Sequence, residues 1–511
     1  MMKRTRPISG LVVTAAAVLL AAAACGGGAS SKGGGRTELR FGTISGPVIA
    51  FDPWLAPFGD NASLLLNQIS YDSLTHVAPD GKITPGLATS WQLSGSNKVT
   101  LKLRDDAKFD DGTPVNAEAV KANFDYAKKA VPAGQRTPYI AALTTTVVDP
   151  TTLTLESRTP QPDLLTNLAT GGGFIVNPKA LKNPASLRSK PAGSGPYTLT
   201  SAVPGQDWVF TRRQGHWNPS EFQYQKLEMK NFSSLQAMDN ALKTGQIDGG
   251  LGRPEFLAGD RTAGLNIHQA KPTTLQGIWL SDRAGKIVPA LGEEKVRQAL
   301  NYAVDRDAVM KAVFYGVGAP ASLIMPEGLS GSGAKVKEAY SYDPAKAKKL
   351  LAEAGYPNGF TLPFLGAGQD SKLEQAVAGY LRQVGVKMDI KPHVADYTNE
   401  VRSGKWAATS FAWTMTPPAQ SVNEILSPNG LGNLNHSTDP QISAALDRTQ
   451  APLGDAQTRA MEDLVGIVND KAWFLIVGHS SNLYVTSKGV TCDIGQRTTC
   501  PLYTFRPAKA S

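Results

Sequence analysis

Two apolar periods take turns along almost the whole chain, and this alternation constrains the fold more than any other feature. Leu39 and Phe41 recur at every second residue in TELRF, as do Val99, Leu101 and Leu103 in KVTLKLR. Leu153 and Leu155, Leu227 and Met229, and Met388 and Ile390 repeat the pattern. A strand with one buried face needs that spacing. Between these runs the period lengthens. Val120, Phe124 and Ala127 share one helical face, Val296, Leu300 and Val304 another, and Val377, Leu381 and Val384 a third. Asn116 can cap the first of these helices. Asp343-Pro344 is a helix start with Asp as cap, and Gly355 and Gly385 are natural stops. Strands and helices that alternate in this way build mixed α/β layers. About 475 residues follow position 36, too many for one hydrophobic core, so two or three domains are expected. No internal repeat or low-complexity linker separates them, so the lobes should be joined by crossovers.

The N-terminus is of a different kind. Lys3, Arg4 and Arg6 precede the uncharged run Leu11–Ala24, whose 14 residues fall short of the ~20 that a membrane-spanning helix needs. The run suits the apolar region of a secretory signal. Ala22-Ala23-Ala24-Cys25 resembles a bacterial lipobox, in which cleavage leaves a lipid-modified cysteine. The departure is Ala22, where such boxes usually carry Leu. An ordinary signal peptide with an incidental cysteine is the alternative. The expectation is a signal over 1–24, lipid on Cys25, and a flexible tether over 25–36, where Gly26–Gly35 is almost entirely Gly, Ser, Ala and Lys. The mature protein would then sit outside the cytoplasm, on the outer face of the cell membrane (the periplasmic space or its equivalent), touching the membrane only through its lipid.

Removal of Lys3, Arg4 and Arg6 takes the formal charge from +9 to +6. The remaining Lys and Arg are scattered, so no nucleic-acid footprint is read. Cys492 and Cys500, separated by a short polar segment, are expected to be oxidised to a disulfide outside the cytoplasm. Two thiolates with no histidine nearby supply too few ligands for a metal.

Seven segments, in order, resemble the oligopeptide, dipeptide and nickel solute-binding proteins of ABC importers. Pro85–Trp91 looks like the family's P-G-L-A-x-S-W, and Leu101–Phe124 like its R-x-x-x-K-F-x-D-G-x-P stretch between a strand and a helix. Gly193-Ser194-Gly195-Pro196-Tyr197 is similar to its G-T-G-P-Y turn, and Arg212–Trp217 to the R-N-x-x-Y-W that follows. ALKTGQID (Ala241–Asp248), KVRQALNYAVDR (Lys295–Arg306) and YDPAKAKKLLAEAGY (Tyr342–Tyr356) complete the set. Each segment also has a plain structural account. Asp110, Asp111 and Gly112 suit a turn with Gly112 at positive φ, and Trp91, Phe109, Tyr197 and Trp217 read as core aromatics. The resemblance implies an α/β, two-lobe "Venus flytrap" with a hinged cleft and an extra α/β subdomain in the first lobe. On that pattern the first lobe takes 37–275 and 478–511, with the subdomain at 76–190, and the second lobe takes 276–477.

An enzyme is the competing class. The six histidines (His76, His216, His268, His393, His436 and His479) are dispersed without metal spacing. No G-x-S-x-G elbow, P-loop or dinucleotide fingerprint occurs, and Gly171–Gly173 reads as a bare loop. A secreted hydrolase with a triad assembled from distant residues is the alternative of another class. No cofactor, resident metal or ATP site is expected.

For the ligand the informative tract is KWAATSFAWTMTPPAQ, 405–420. Peptide-binding members carry W-x-x-D-x-x-D-P here, and the first Asp holds the peptide α-ammonium, because a buried cation needs a paired anion. Trp413 matches the aromatic, Thr416 stands at the Asp position, and Ala419-Gln420 replace the later Asp-Pro. Either the peptide is held mainly by its backbone, or the ligand has no ammonium there, as with oligosaccharides, modified peptides, haem or a metal chelate. Trp413 is a stacking platform or a core tryptophan, and Trp406 is structural. Candidate ligand-binding residues are Trp413, Thr414, Met415 and Thr416, with Phe51, Ser45 and Asn435. The expected role is capture of a solute, a peptide first, by a monomer that delivers it to a membrane permease driven by separate ATPase subunits.

Overall fold

Strand Glu38–Thr43 buries Leu39 and Phe41 on one face, as its period requires, and sits near the middle of a seven-stranded sheet. The computed structural model describes residues 37–44, 51–55, 61–130, 138–333, 336–366, 371–391, 397–495 and 500–508. The expected signal and tether (1–24 and 25–36), Cys25 and Ser45 lie outside the described residues. The sheet runs in the order Asn266–Gln269, Leu483–Thr486, Gly249–Leu251, Glu38–Thr43, Lys226–Asn231, Asp207–Arg212, Tyr197–Val203. Glu38–Thr43 pairs in parallel with both of its neighbours. Arg40 fastens the strand to the ALKTGQID segment, donating from its backbone N, Nε and Nη2 to the Asp248 carboxylate at 2.9, 3.0 and 2.8 Å.

A second, six-stranded sheet has the order Ala319–Pro320, Leu475–Ser480, Thr274–Leu280, Ala408–Thr414, Thr361–Leu365, Lys387–Lys391. Helix Glu294–Tyr302 covers it with Val296 and Leu300, and helix Lys372–Gln383 with Val377 and Leu381, all fully buried or nearly so. The chain passes between these two sheets twice, between Gln269 and Thr274 and between Ser480 and Leu483. These crossovers are the two short links between the lobes.

A third, four-stranded antiparallel sheet joins Ala88–Leu93, Lys98–Leu103, Thr152–Glu156 and Thr144–Asp149. Helix Ala117–Ala130 lays Val120, Phe124 and Ala127 onto it, and Asn116 Oδ1 accepts from the Ala119 N–H at 2.9 Å as its cap. Asp343 caps helix Pro344–Glu353 in the same way, through the Lys346 N–H. Gly112, Gly355 and Gly385 all take positive φ. Phe109 and Tyr197 are buried, whereas Trp91 and Trp217 are only partly buried. Gly171–Gly173 is a 3-10 turn and not a bare loop, and a side chain at Gly173 would collide with the Leu168 carbonyl. Among the described residues no helix is long and apolar enough to cross a membrane.

Candidate functional site

The G-S-G-P-Y turn is pressed against the end of helix Asn61–Ser70. A Cβ at Gly193 would strike the Ser70 carbonyl oxygen, and one at Gly195 the Ser70 backbone. The two glycines therefore let the turn lie directly on Ser70 and Tyr71, and the Gly195 N–H donates to Ser70 O at 3.1 Å. On the other side Gly86 of the P-G-L-A segment packs on Ser73, whose carbonyl accepts from the Leu87 N–H at 2.9 Å. Two family-like motifs thus clamp Tyr71-Asp72-Ser73 and fix where these side chains point.

Tyr71, Asp72 and Ser73 lie along the wall of a cavity of about 300 Å³. The first lobe supplies Tyr71, Asp72, Ser73 and His76, then Thr166, Ala169, Thr170 and Phe174, then Pro196, Phe222 and Tyr503. The second lobe closes it with Leu329, Thr416, Pro417 and Pro418. Asp72 is 4 % exposed. Its carboxylate accepts from Trp217 Nε1 at 3.0 Å and lies 3.2 Å from His216 Nε2. His216 Nδ1 accepts the Asn218 N–H at 3.2 Å, which leaves the ring proton on Nε2 to be donated to Asp72. His76 stacks on Tyr503, with ring centres 6.0 Å apart, and Phe222 meets Tyr503 edge-on. The Arg104 guanidinium lies 3.7 Å over the Trp217 ring and pairs with Asp106. Neither Lys nor Arg lines the cavity among the described residues. Such a chamber can enclose a small solute between aromatic walls, hydroxyl groups and one carboxylate.

Two further carboxyls stand near the second-lobe wall. Asp163, at the end of the first-lobe wall, has its pKa pushed up to about 6 by burial, against the opposing effect of N–H bonds from Gln420 and Ala419. Burial also raises Glu424, which accepts from Gln420 Nε2 at 2.8 Å.

Thr416 is the expected site residue that lines this cavity. Trp413 is 5 % exposed and lies in the second-lobe core, stacked on Phe411 with centres 5.4 Å apart. Met415 is fully buried in the same core. Thr414 is exposed and hydrogen-bonds with Thr274 at 3.2 Å. Phe51 is buried in the first-lobe core, edge-on to Phe210. Asn435 donates to the Trp406 carbonyl at 3.2 Å and is not part of the cavity wall. Cys492 and Cys500 are joined as a disulfide, with Cα atoms 6.8 Å apart. Sequence reasoning did not reach Asp72, His76, Phe222 or Tyr503, because no spacing in the chain marks them. Among the described residues no three His, Cys, Asp or Glu side chains gather as a metal site.

Two α/β lobes linked by two crossovers, with a solute-sized cavity walled by both, define a two-lobe binding protein. Residues 82–433 match the family "Bacterial extracellular solute-binding proteins, family 5 Middle". The chain belongs to that family. The glutathione-binding protein GsiB of Escherichia coli (strain K12) is 28 % identical over 465 residues, covering 84 % of this chain and 88 % of GsiB. The structure of HbpA2 from Haemophilus parasuis superimposes with a TM-score of 0.79 at 23 % identity, covering 92 % of this chain and 100 % of that one. The periplasmic binding protein DppA from Helicobacter pylori, in complex with the peptide STSA, gives 0.78 at 18 % identity, over 92 % and 98 % of the two chains.

Proposed function

We propose that this protein is the extracytoplasmic solute-binding component of an ABC importer, and that its solute is a peptide. The observation that carries the reading is the cavity itself, because it is walled by both lobes and so would be completed by their closure over a ligand. The wall chemistry narrows the ligand. Asp72 supplies an anion inside an aromatic chamber, and the described wall offers no Lys or Arg to a carboxylate. A peptide ammonium has a partner at Asp72 that Thr416 does not provide. Glutathione, with two free carboxylates, matches this wall less well than a peptide held through its N-terminal half.

In this reading the first lobe comprises 37–275 and 478–511, with 76–190 as its subdomain, and the second comprises 276–477. The sheet changes at 269–274 and 480–483 support the lobe limits, and the four-stranded sheet of 88–156 falls inside the subdomain. Cys25 carries the lipid that holds the monomer at the membrane, where it hands its solute to a permease powered by separate ATPase subunits. Exchange of Cys25 for Ala should release the protein from the detergent phase, and unchanged partitioning would refute the anchor. Calorimetric titration of the mature protein with a tripeptide, its N-acetylated form and glutathione tests the ligand. Tightest binding by the free tripeptide is expected. Catalytic turnover of any of them, abolished by a point mutation, would favour the hydrolase instead.

A further inference from the structure

Helix Pro418–Leu426 begins without a cap of its own. Its N-cap position is Pro417, which makes no side-chain cap bond. The first N–H groups of a helix lack intrahelical acceptors and need one from elsewhere. In the opposite lobe Asp163 occupies the N-cap position of helix Leu164–Asn167 yet makes no side-chain cap bond there. Its Oδ2 instead accepts the Gln420 N–H at 2.8 Å, across 257 residues of sequence. Ala419 contributes a second backbone N–H. The partners flank the cavity, with Thr166, Ala169 and Thr170 on one wall and Thr416, Pro417 and Pro418 on the other.

We propose that Asp163 is a closure latch, a helix cap carried by the first lobe for a helix of the second and engaged when the cleft shuts. Opening returns the N-terminus of Pro418–Leu426 to water and leaves the Asp163 carboxyl beside its own helix, where Asp is a favoured cap. Closure therefore exchanges one cap for another, and the exchange is confined to the rim of the solute chamber. Protons tune it. The closed position holds the Asp163 carboxyl near pH 6, whereas a solvated Asp titrates near ~3.9. The closed state thus binds the proton more tightly, so closure is favoured in acid and loses strength as pH rises through that window. The titratable groups on the surrounding elements are Glu424 on the capped helix and Asp72 and His76 on the cavity wall. None of them shifts Asp163, whose pKa is set by burial and the two N–H bonds.

The inference rests on the two-lobe fold and not on the identity of the solute, so its test needs no ligand. Amide hydrogen exchange is followed at Gln420 in the solute-free mature protein, the Asp163→Ala variant and the Asp163→Asn variant, as protection relative to intrinsic rates. Strand Lys98–Leu103 serves as the internal check on folding. In the native protein, protection at Gln420 should fall about tenfold between pH 5 and pH 7.5. Asp163→Asn, which mimics the protonated carboxyl, should keep high protection at both values, and Asp163→Ala should lose it at both. Equal protection at Gln420 in the native protein and Asp163→Ala at pH 5 would overturn the latch. Matching behaviour of the Ala and Asn variants, with Lys98–Leu103 intact, would overturn it too.

Discussion

His216 Nε2 lies 3.2 Å from Asp72 Oδ1, a contact between residues 144 positions apart that fixes the one carboxylate on the cavity wall among the described residues. Trp217 holds the other oxygen of the same group. The carboxylate is therefore pre-positioned, and a ligand ammonium need only bring its own charge. Asp72→Asn should cost roughly 1–3 kcal/mol of stability through the disturbed bonds to His216 and Trp217. It should also weaken an N-terminally free tripeptide by about ten- to a hundredfold, the equivalent of a charge-assisted bond. Thermal melts beside titrations separate the two effects. Lost stability with unaltered affinity would make Asp72 a scaffold residue only.

Trp413 is predicted to act on the fold. It packs among Phe411, Leu275 and Ile425 in the second-lobe core, so Trp413→Ala should cost roughly 3–5 kcal/mol. Affinity of the folded fraction should change far less. A stable variant with a large loss of binding would return the indole to the ligand site.

Denaturation against pH should carry the mark of His479. Burial in strand Leu475–Ser480 lowers its pKa to about 4. The unfolded chain takes up that proton near ~6.5. Between these values the unfolded state binds more protons, so stability falls as pH drops from 6.5 towards 4, by up to about 3 kcal/mol. His479→Gln should flatten that acid limb, and an unchanged slope would contradict the assignment.

Cys492 and Cys500 both lie in the first-lobe core beside Tyr484 and Phe505. Mass mapping without reductant should find them linked, and replacing both by Ser should cost roughly 2–3 kcal/mol. Two free thiols would be inconsistent with this.

How much of this was legible in the chain follows from where each constraint lives. Strand and helix faces, the caps at Asn116 and Asp343, and the glycine turns at Gly112, Gly355 and Gly385 are local, and short sequence windows carry them. The role of Trp413 is not local. Ala408–Thr414 is an interior strand of the six-stranded sheet, so residue alternation sorts its side chains into two faces without saying which face meets the cleft. Thr416 lies just past the strand end, on the cavity rim. Asp72 with His216 and Asp163 with Gln420 are pairs made by tertiary contact, and a lone Asp before a short helix reads in sequence as an ordinary cap.

The proposed peptide site is the chamber between Asp72 and Thr416. Native mass spectrometry of the protein stripped of bound solute, incubated with a mixture of di- to pentapeptides, tests it most directly when run beside Thr416→Trp, which would fill the chamber from the second-lobe side. One intact peptide per native protein is expected, and little or none on the variant. Equal peptide loading of both proteins, or cleavage of the peptides, would contradict it.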